Sequence, residues 1–365
     1  MAMRTGELCD CCGGCSEKPG ITFNMSNFLR RSYITLERNV PQTIKDLIPV
    51  SWRIGLGYRI KTGRSLRQFK PKIGTTNYPL VLRENLELPV GQDRDELFNY
   101  LAKYHFKDAG SGQEMAHYLD AAFERFLLTL QLVPDISGQL LEIGAGPYFM
   151  TLLLQKFRHY ELTLVNYFGR DWAPHSEQVM IDAEGGDIHF PFDNFNVEED
   201  TFPYSDQSFD TVLLCEVLEH FTNNPLHALL EIKRVLKPGG TLILTTPNVA
   251  RLENIARLIV GENLYDPYSG YGPLGRHNRE YTPYELEKLL QHAGFKVDRW
   301  FTSDVHHNLA NHFVPIAHYQ HLVQQRAHAL GQYIFVKANS ISPTNSNPKK
   351  PIWLYRSYPP GEMTE

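Results

Sequence analysis

The chain has 365 residues, of which 42% are hydrophobic and 21% are charged, and its formal net charge is −5. This composition predicts a globular protein with one large core and room for an appended segment. No run approaches the roughly 18 apolar residues that a membrane-spanning helix needs, and the first 25 residues lack the apolar middle of a signal peptide. We therefore expect a cytoplasmic protein.

Residues 1–24 form a predicted disordered tail that is rich in cysteine and glycine. It holds four of the five cysteines, Cys9, Cys11, Cys12 and Cys15. Four thiols so close together can bind a soft metal such as zinc or copper. The usual zinc pattern, however, separates two Cys-x-x-Cys pairs by a dozen or more residues, so we favour a loose, reactive tail over a metal site.

Residues 25–96 form a predicted basic N-terminal extension. Within it, residues 30–72 carry 11 lysines and arginines against Glu37 and Asp46 alone, so the rest of the chain is acidic. We favour a solvated basic face that packs on the acidic domain. Contact with an anionic membrane surface is the second reading, and nucleic acid is the least favoured, although Trp52 and Tyr58 interleave with the arginines.

From about residue 97 the hydrophobic pattern becomes regular. A helix is predicted over 113–132, where apolar side chains recur at helical spacing. Strands are predicted near 139–143, 162–166, 190–196, 210–215, 241–246, 295–302 and 332–337, with helices between most of them. Such alternation predicts an α/β fold with a mainly parallel, doubly wound sheet and helices on both faces. Ligands of such sheets bind beyond the carboxyl ends of the strands.

The first of these strands runs into the sequence Leu-Leu-Glu-Ile-Gly-Ala-Gly-Pro at residues 140–147. Gly144 and Gly146 allow a sharp turn and a close approach of the backbone to a ligand, while Glu142 places a carboxylate at the strand end. The chain has no G-x-x-x-x-G-K-[ST] motif, and the third glycine of G-x-G-x-x-G is missing. A carboxylate in this position suits a cation better than a pyrophosphate.

Two further blocks lead into strands, Phe202 to Phe221 with Cys-Glu-Val-Leu-Glu-His at 215–220, and Leu236 to Asn248 with Lys-Pro-Gly-Gly at 237–240. Together the three blocks resemble the class I S-adenosylmethionine-dependent methyltransferases, over about residues 97–340, and in particular the branch that includes small-molecule and sugar methyltransferases. The resemblance implies a Rossmann-like sheet of seven strands in a methyltransferase domain, 97–340. It also implies S-adenosyl-L-methionine as the cofactor.

The resemblance also implies a set of cofactor-binding residues. Gly144, Ala145 and Gly146 would run beneath the methionine part, and Glu142 would face its ammonium group or a bridging water. The remaining implied positions are Asn166 at the ribose, Asn196 and Val197 at the adenine, and Cys215 and Glu216 along the cavity wall. We expect Cys215 to pack rather than to act as a nucleophile.

Asn166 and Asn196 depart from the family, which usually has carboxylates at both positions. A hydrogen bond to a charged group contributes about 1.5–3 kcal/mol and a neutral one about 0.5–1.5 kcal/mol. The two exchanges therefore weaken cofactor binding by about one or two orders of magnitude without abolishing it. A non-catalytic binding or scaffold protein of the same fold remains an alternative.

His220 and His277 are the candidate catalytic residues, as a base or as groups that orient the acceptor. Packing or capping is the alternative for His220, and ordering of a loop is the alternative for His277. His277 lies in an insert, 248–282, that we expect to form a lid over the acceptor. Thr282 to Glu285 predicts the start of a helix with a threonine cap.

The C-terminal part of the chain contains few candidate catalytic or ligand-binding residues. Six histidines between 306 and 328 have no Asp or Glu among them, so we expect an amphipathic surface helix and no metal site. Residues 341–365 read as a C-terminal tail, although Trp353, Leu354 and Tyr355 are candidates to pack back on the domain.

The sequence thus predicts a cytoplasmic S-adenosylmethionine-dependent methyltransferase. We expect its acceptor to be a small molecule or a saccharide of a biosynthetic pathway, methylated at oxygen. In one version of the hypothesis the acceptor is carried on lipid. Methylation at carbon or nitrogen is the alternative reaction. If the protein contacts a membrane surface, which is the second reading of the basic extension, we expect residues 30–72 to make that contact.

Overall fold

The computed structural model describes residues 85–107, 112–341 and 348–365. The predictions for the cysteine-rich tail and for most of the basic extension, including residues 30–72, lie outside these ranges. Within them, no helix is both long enough and apolar enough to cross a bilayer.

Helices and strands alternate along most of the described chain. The helices are α1 (Arg94–Leu101), α2 (Gly112–Leu132), α3 (Phe149–Phe157), α4 (Pro225–Val235), α5 (Leu252–Ile259), α6 (Pro283–His292), α7 (Ala310–Phe313) and α8 (Gln320–Val323). The strands are β1 (His105–Phe106), β2 (Ser137–Ile143), β3 (His159–Asn166), β4 (His175–Ile181), β5 (Asp187–Asn194), β6 (Phe209–Cys215), β7 (Leu236–Pro247), β8 (Phe295–Ser303), β9 (Tyr333–Ser340), β10 (Lys350–Pro351) and β11 (Met363–Thr364).

One central sheet joins nine of these strands in the order β1-β4-β5-β3-β2-β6-β7-β9-β8. The middle strands β5, β3, β2, β6 and β7 are parallel to one another, whereas β8 and β9 at one edge and β1 and β4 at the other pair antiparallel. After β5 the chain crosses to the other side of β2 to form β6, so the strand order reverses beside β2. Ligands of open α/β sheets bind at such a switch point.

Alternate side chains of the middle strands point to opposite faces, and each face is covered by helices. On β2, Leu140 belongs to the core beneath α1, α2 and α3, while Leu141 and Ile143 belong to the core beneath α4 and α6. On β6, Leu213 lies on the first face and Leu214 on the second. The predicted α/β class with helices on both faces is confirmed.

The predicted helix over 113–132 is confirmed as α2, whose apolar positions are buried. All seven predicted strands are present, but the sheet has two more. Strand β4 was missed because His175–Ile181 reads His-Ser-Glu-Gln-Val-Met-Ile and lies at the sheet edge, where only part of each face is covered. β1 is a two-residue strand that pairs with β4.

The C-terminal residues do not form a free tail over the part that is described. Trp353 and Leu354 pack against the core beneath α4 and α6, and Tyr355 is only 5% exposed. The Tyr355 hydroxyl accepts from the backbone N–H of Leu226 at 3.0 Å and donates to Asn224 Oδ1 at 3.0 Å. The tail therefore packs back on the domain, beside the first turn of α4.

The amphipathic surface helix expected in the histidine-rich segment is absent. Residues 310–329 instead form four short pieces, α7, α8 and two 3₁₀ turns at Ile316–His318 and Gln324–Ala329. Pro315 interrupts the segment, since proline lacks the N–H that a continuing helix needs.

Helix α6 begins with a side-chain cap, and the segment that leads into α4 is held by a buried carboxylate. Thr282 Oγ1 accepts from the N–H of Glu285 at 3.1 Å at the start of α6, as predicted. Ahead of α4 lies Glu198, a residue distant in sequence that is 4% exposed. Its carboxylate accepts from the backbone N–H groups of Thr222, Asn223 and Asn224, and from the Thr222 hydroxyl at 3.1 Å. The buried carboxylate is thereby satisfied by hydrogen bonds from the backbone just before the helix.

The structure predicts that Glu198→Ala is strongly destabilising. Loss of this carboxylate leaves buried N–H groups without an acceptor, which costs about 2–4 kcal/mol. Denaturant unfolding measures the change. The matched control is Glu199→Ala, because Glu199 pairs with Arg170 on the exposed surface and such a pair contributes about 0–1 kcal/mol. If both variants lose the same free energy of unfolding, Glu198 does not stabilise the fold by accepting from these N–H groups.

Candidate functional site

A cavity of about 400 Å³ opens at the carboxyl ends of β2, β3, β5 and β6. Its position at the switch point of the sheet is where a ligand is expected. Seven of the predicted site residues line it, namely Gly144, Gly146, Asn166, Asn196, Val197, Glu216 and His220. Aromatic side chains, among them Phe168, Phe195 and Phe221, supply much of the rest of the wall.

The glycine turn after β2 passes so close to the end of β6 that no side chain fits. Gly144 has φ +74°, and a Cβ at this position would lie 2.4 Å from Cγ2 of Val217. The Gly144 and Ala145 N–H groups both donate to the carbonyl of Val165, at 2.8 and 3.3 Å. The turn is thus held against β3 on one side and the end of β6 on the other.

A second cavity, of about 70 Å³, lies next to the same turn. It shares Gly144, Gly146 and Glu216 with the larger cavity, so the two meet across the backbone of the turn. Among the predicted residues, Glu142, Ala145 and Cys215 line this smaller cavity. Burial raises the pKa of the Cys215 thiol to about 12, in keeping with a packing role.

An ion pair between α2 and the end of β6 crosses the smaller cavity. Arg125 lies 2.5 Å from Oε2 of Glu216, and its other nitrogen donates to the Tyr118 hydroxyl at 2.8 Å. Oε1 of Glu216 accepts from the Thr245 hydroxyl at 2.9 Å. Arg125 is 7% exposed. The cavity therefore presents a positive and a negative group side by side.

The side chain of Glu142 is more deeply buried in the domain than the sequence suggested. It is 4% exposed, and its Oε2 accepts from the Thr151 hydroxyl at 2.6 Å. Burial raises the pKa of Glu142 to about 8, which the Thr151 hydrogen bond only partly opposes. The carboxyl group is therefore mostly protonated at neutral pH unless a cation approaches it.

Asn166, predicted at the ribose position, lines the larger cavity and also supports the glycine turn. Its Oδ1 accepts from Gly146 N–H at 3.0 Å, and its Nδ2 donates to the Tyr148 hydroxyl at 3.0 Å. That hydroxyl donates in turn to Gln178 Oε1 at 2.8 Å. An amide both accepts and donates, whereas a carboxylate at this position cannot donate to Tyr148. This requirement accounts for the asparagine.

Asn196, predicted at the adenine position, is also engaged. Its Oδ1 accepts from Glu198 N–H at 3.0 Å, and its own N–H donates to Asp200 at 2.9 Å. The side-chain carbonyl of Asn196 thus supports the loop after β5, and Asn196 also lines the larger cavity.

The two candidate histidines lie together. His220 lines the larger cavity, and the rings of His220 and His277 are 5.1 Å apart at 84°. Burial and the neighbouring His277 lower the pKa of His220. Burial also disfavours the charged form of His277, but Glu280, Glu219 and Asp266 outweigh it and raise the pKa of His277.

The insert predicted as a lid runs from the end of β7 to the start of α6. It contains α5 and a 3₁₀ turn at Gly272–Gly275, and Leu274 of that turn lines the larger cavity. Three of its tyrosines, Tyr265, Tyr268 and Tyr271, are between 81% and 94% exposed. The lid therefore covers one side of the cavity and displays an aromatic surface outside it.

Sequence reasoning missed Arg125, Gln178 and the role of Glu219. Arg125 lies within α2, far along the chain from the motifs, and Gln178 lies on the unpredicted strand β4. Glu219 stands beside His220 in the sequence, but sequence analysis assigned it no role. One signal was available for Arg125, since it is a charged residue on the mostly apolar second half of a long amphipathic helix.

Residues 115–299 match a family model described as a methyltransferase domain. The rat mitochondrial ubiquinone biosynthesis O-methyltransferase is 33% identical over 103 residues, which are 27% of this chain and 28% of that enzyme. The enzyme of the same name from Cereibacter sphaeroides is 30% identical over 171 residues, 46% of this chain and 64% of that one. The chain thus spans less than two thirds of these relatives.

Similar solved structures have low sequence identity. One is a methyltransferase in complex with its activator from Haloferax volcanii, at 15% identity and a TM-score of 0.41, covering 68% of this chain and all of that one. Another is an S-adenosylmethionine-dependent methyltransferase from Thermotoga maritima, at 18% identity and a TM-score of 0.39, covering 62% and 95%.

The raised pKa of Glu142 predicts how stability depends on pH. The folded protein keeps a proton that the unfolded chain releases from about pH 4.5 upward, so this group lowers stability as the pH rises toward about 8. Glu142→Gln mimics the protonated acid and keeps the bond from Thr151. We expect the ligand-free variant to melt about 3 °C or more above the parent at about pH 9, with little difference at about pH 5.

Thermal melts across this pH range provide the measurement, with the exposed Glu184→Gln as the control. A Glu142→Gln variant whose melting temperature follows that of the parent at every pH contradicts the assignment.

Proposed function

The chain belongs to the class I S-adenosylmethionine-dependent methyltransferases, and we propose that it transfers the methyl group of S-adenosylmethionine to a hydroxyl oxygen of a small molecule. The observation that carries the proposal is the pair of joined cavities at the strand ends, with an ion pair in the smaller one and His220 at the wall of the larger.

The described residues fit the cofactor. The larger cavity has a volume within the range of roughly 300–1,000 Å³ that small-molecule sites have. Its aromatic and aliphatic walls suit the faces of an adenine ring. The close approach of Gly144 to Val217 leaves backbone, not a side chain, between the two cavities. The residues that would hold the nucleoside are Asn166, Val197 and the loop that contains Asn196.

The smaller cavity fits the amino-acid end of the cofactor. That end carries a carboxylate and an ammonium group, which match Arg125 and the carboxylates of Glu216 and Glu142. An ammonium group near Glu142 favours its ionised form and so offsets the effect of burial. When bound, the cofactor supplies a methyl group on a positively charged sulfur.

The chain's own residues then have a limited task, because the methyl group is already activated. They align the acceptor with the methyl–sulfur bond, exclude water and let the hydroxyl proton leave. In the transfer, an oxygen–carbon bond would form and the carbon–sulfur bond would break with its electron pair staying on sulfur, while the hydroxyl proton would pass to solvent. His220 is the polar side chain placed to orient the hydroxyl, since it lines the cavity beside Leu274 of the lid.

Two features favour oxygen on a small, hydroxylated acceptor. The curated relatives named above are O-methyltransferases of ubiquinone biosynthesis. The exposed tyrosines of the lid, with Arg276 stacked 5.1 Å from the Tyr268 ring centre, suit a ring-shaped or apolar remainder of the acceptor. We keep saccharides and lipid-linked phenols as the two acceptor classes, and methylation at carbon or nitrogen as the alternative reaction.

A two-step experiment tests the proposal. Calorimetry with the full chain measures S-adenosylmethionine binding, and radiolabelled cofactor then reports methyl transfer to a panel of catechols, polyprenyl phenols and saccharides. We expect saturable binding and transfer to a hydroxylated member of the panel. No cofactor binding at millimolar concentration contradicts the family function in this chain. Binding without transfer to any panel member favours the non-catalytic alternative.

Arg125 is predicted to hold the carboxylate of the cofactor. Arg125→Met should weaken cofactor binding by about 10–100-fold, because one or two charge-assisted hydrogen bonds are lost. Arg125→Lys keeps the charge and should recover part of the affinity. Arg94→Met is the control, since Arg94 forms an ion pair with Glu124 and neither residue lines either cavity. If calorimetry gives the same cofactor affinity for Arg125→Met and for the parent, Arg125 does not hold the cofactor.

His220 is predicted to act on the acceptor and not on the cofactor. His220→Ala should leave the affinity for S-adenosylmethionine within about threefold and slow turnover by about 100-fold or more. Single-turnover rates with labelled cofactor measure the effect. A variant that turns over at the parental rate excludes His220 from the reaction.

A further inference from the structure

Three side chains between the end of β6 and the lid present ligand atoms to one another. Glu219 and His220 belong to the 3₁₀ turn at Leu218–His220, and His277 belongs to the lid. One atom from each lies within 4.8 Å of the other two. Nε2 of His220 and Nε2 of His277 are each 4.0 Å from Oε1 of Glu219.

The opposite nitrogen of each ring fixes its tautomer. Nδ1 of His220 lies 3.0 Å from the carbonyl oxygen of Arg276, and Nδ1 of His277 lies 3.0 Å from Oε1 of Glu280. Both partners only accept, so in each neutral ring Nδ1 carries the proton. The lone pair on each Nε2 therefore faces Glu219. Histidines that bind metals are oriented in this way by a carbonyl or a carboxylate.

Glu219 supplies the independent observation. Its side chain is 0% exposed, and its Oε1 is buried without a hydrogen-bond partner. Oε2 accepts from the Thr246 hydroxyl at 3.0 Å. An unpartnered, buried carboxylate oxygen is costly, and the groups that face it here are two nitrogen lone pairs. A cation between the three atoms satisfies all of them at once.

We propose that Glu219, His220 and His277 bind a divalent first-row transition-metal ion such as Zn²⁺, Mn²⁺ or Co²⁺. Two imidazoles and one carboxylate suit these ions, whereas Mg²⁺ and Ca²⁺ prefer all-oxygen sites. Typical metal–ligand distances of about 2.0–2.2 Å require the three atoms to close by roughly 0.5 Å. Glu216 adds negative charge nearby, but its oxygens are engaged by Arg125 and Thr245.

The surroundings hold the three residues in place. The backbone carbonyl of Glu219 accepts from the N–H groups of Asn278 and Arg279, at 2.8 and 3.1 Å. Glu280, which orients His277, is itself paired with Arg251. Supporting contacts of this kind are typical of metal sites, and here they join the turn after β6 to the lid.

The ion gives the proposed reaction a way to select its acceptor, and this step rests on the proposed function. Three protein ligands leave coordination positions open, and His220 places the site at the wall of the larger cavity. Two neighbouring oxygens of a catechol or a vicinal diol fit those positions. The ion lowers the pKa of the hydroxyl to be methylated, whose proton passes to solvent.

Metal binding is tested first, without any acceptor. The full chain is stripped with a chelator and titrated with Co²⁺ and Zn²⁺, followed by visible absorption and calorimetry. We expect one equivalent to bind to the parent, and affinity to fall by at least about 100-fold in Glu219→Gln and in His277→Ala. Thermal melts of the metal-free variants confirm that each one is folded.

Controls separate this site from other metal ligands of the chain. His307→Ala/His312→Ala removes two exposed imidazoles from the histidine-rich segment and should leave the tight equivalent unchanged. Each variant is also measured with Cys9, Cys11, Cys12 and Cys15 replaced by serine, since thiolates bind the same ions. Cobalt bound by thiolates shows an intense charge-transfer band that nitrogen and oxygen ligands do not produce.

The outcomes are distinct. A tight equivalent that survives in both Glu219→Gln and His277→Ala, or no saturable binding by the serine background, overturns the site and leaves a Glu219–His277 ion pair in its place. Cofactor affinity should not depend on the metal, so a lack of S-adenosylmethionine binding counts against the proposed function and not against the metal site. Methyl transfer that proceeds equally after chelation overturns the role assigned to the ion.

Discussion

Three buried carboxylates, Glu142, Glu198 and Glu219, and the partly buried Glu216 lie where the parallel strands end, and each must be stabilised with little or no bulk water. Glu198 accepts from the N–H groups ahead of α4, and Glu216 pairs with Arg125. Glu142 has only the Thr151 hydroxyl, and Glu219 keeps one oxygen without a partner. The carboxylate of Glu198 is satisfied by the protein itself, and its effect is structural. The Glu216–Arg125 pair is also satisfied within the protein, but it lines the smaller cavity. Glu142 and Glu219 are not fully satisfied, so a positively charged group can be stabilised beside each of them.

The same distinction explains the two asparagines in the site. A carboxylate at position 166 would accept from Gly146 but would face the Tyr148 hydroxyl without a proton to donate. The Gly146 N–H donates to the Asn166 amide oxygen, the amide nitrogen donates to the Tyr148 hydroxyl, and that hydroxyl donates to Gln178 on β4. Asn166 therefore supports the turn that forms one wall of the larger cavity, in addition to lining that cavity itself.

Local patterns were enough to predict the α/β fold, helix α2, the glycine turn and the cap at Thr282, because each depends on residues close in sequence. They did not reveal β4, whose half-polar sequence is stabilised by pairing with β5 and not by its own pattern. They also did not reveal the Arg125–Glu216 pair, because the partners lie on elements that meet only in the folded domain. Local patterns also did not show that the side chains of Glu142 and Glu219 are buried.

The two hydrogen bonds from Asn278 and Arg279 to the carbonyl of Glu219 attach the insert to the turn after β6 through the backbone alone. Because both donors are backbone N–H groups, these bonds do not depend on the side chains at positions 278 and 279, and only proline would remove a donor. The attachment of the insert to Glu219 therefore tolerates substitution at these two positions, with proline as the exception.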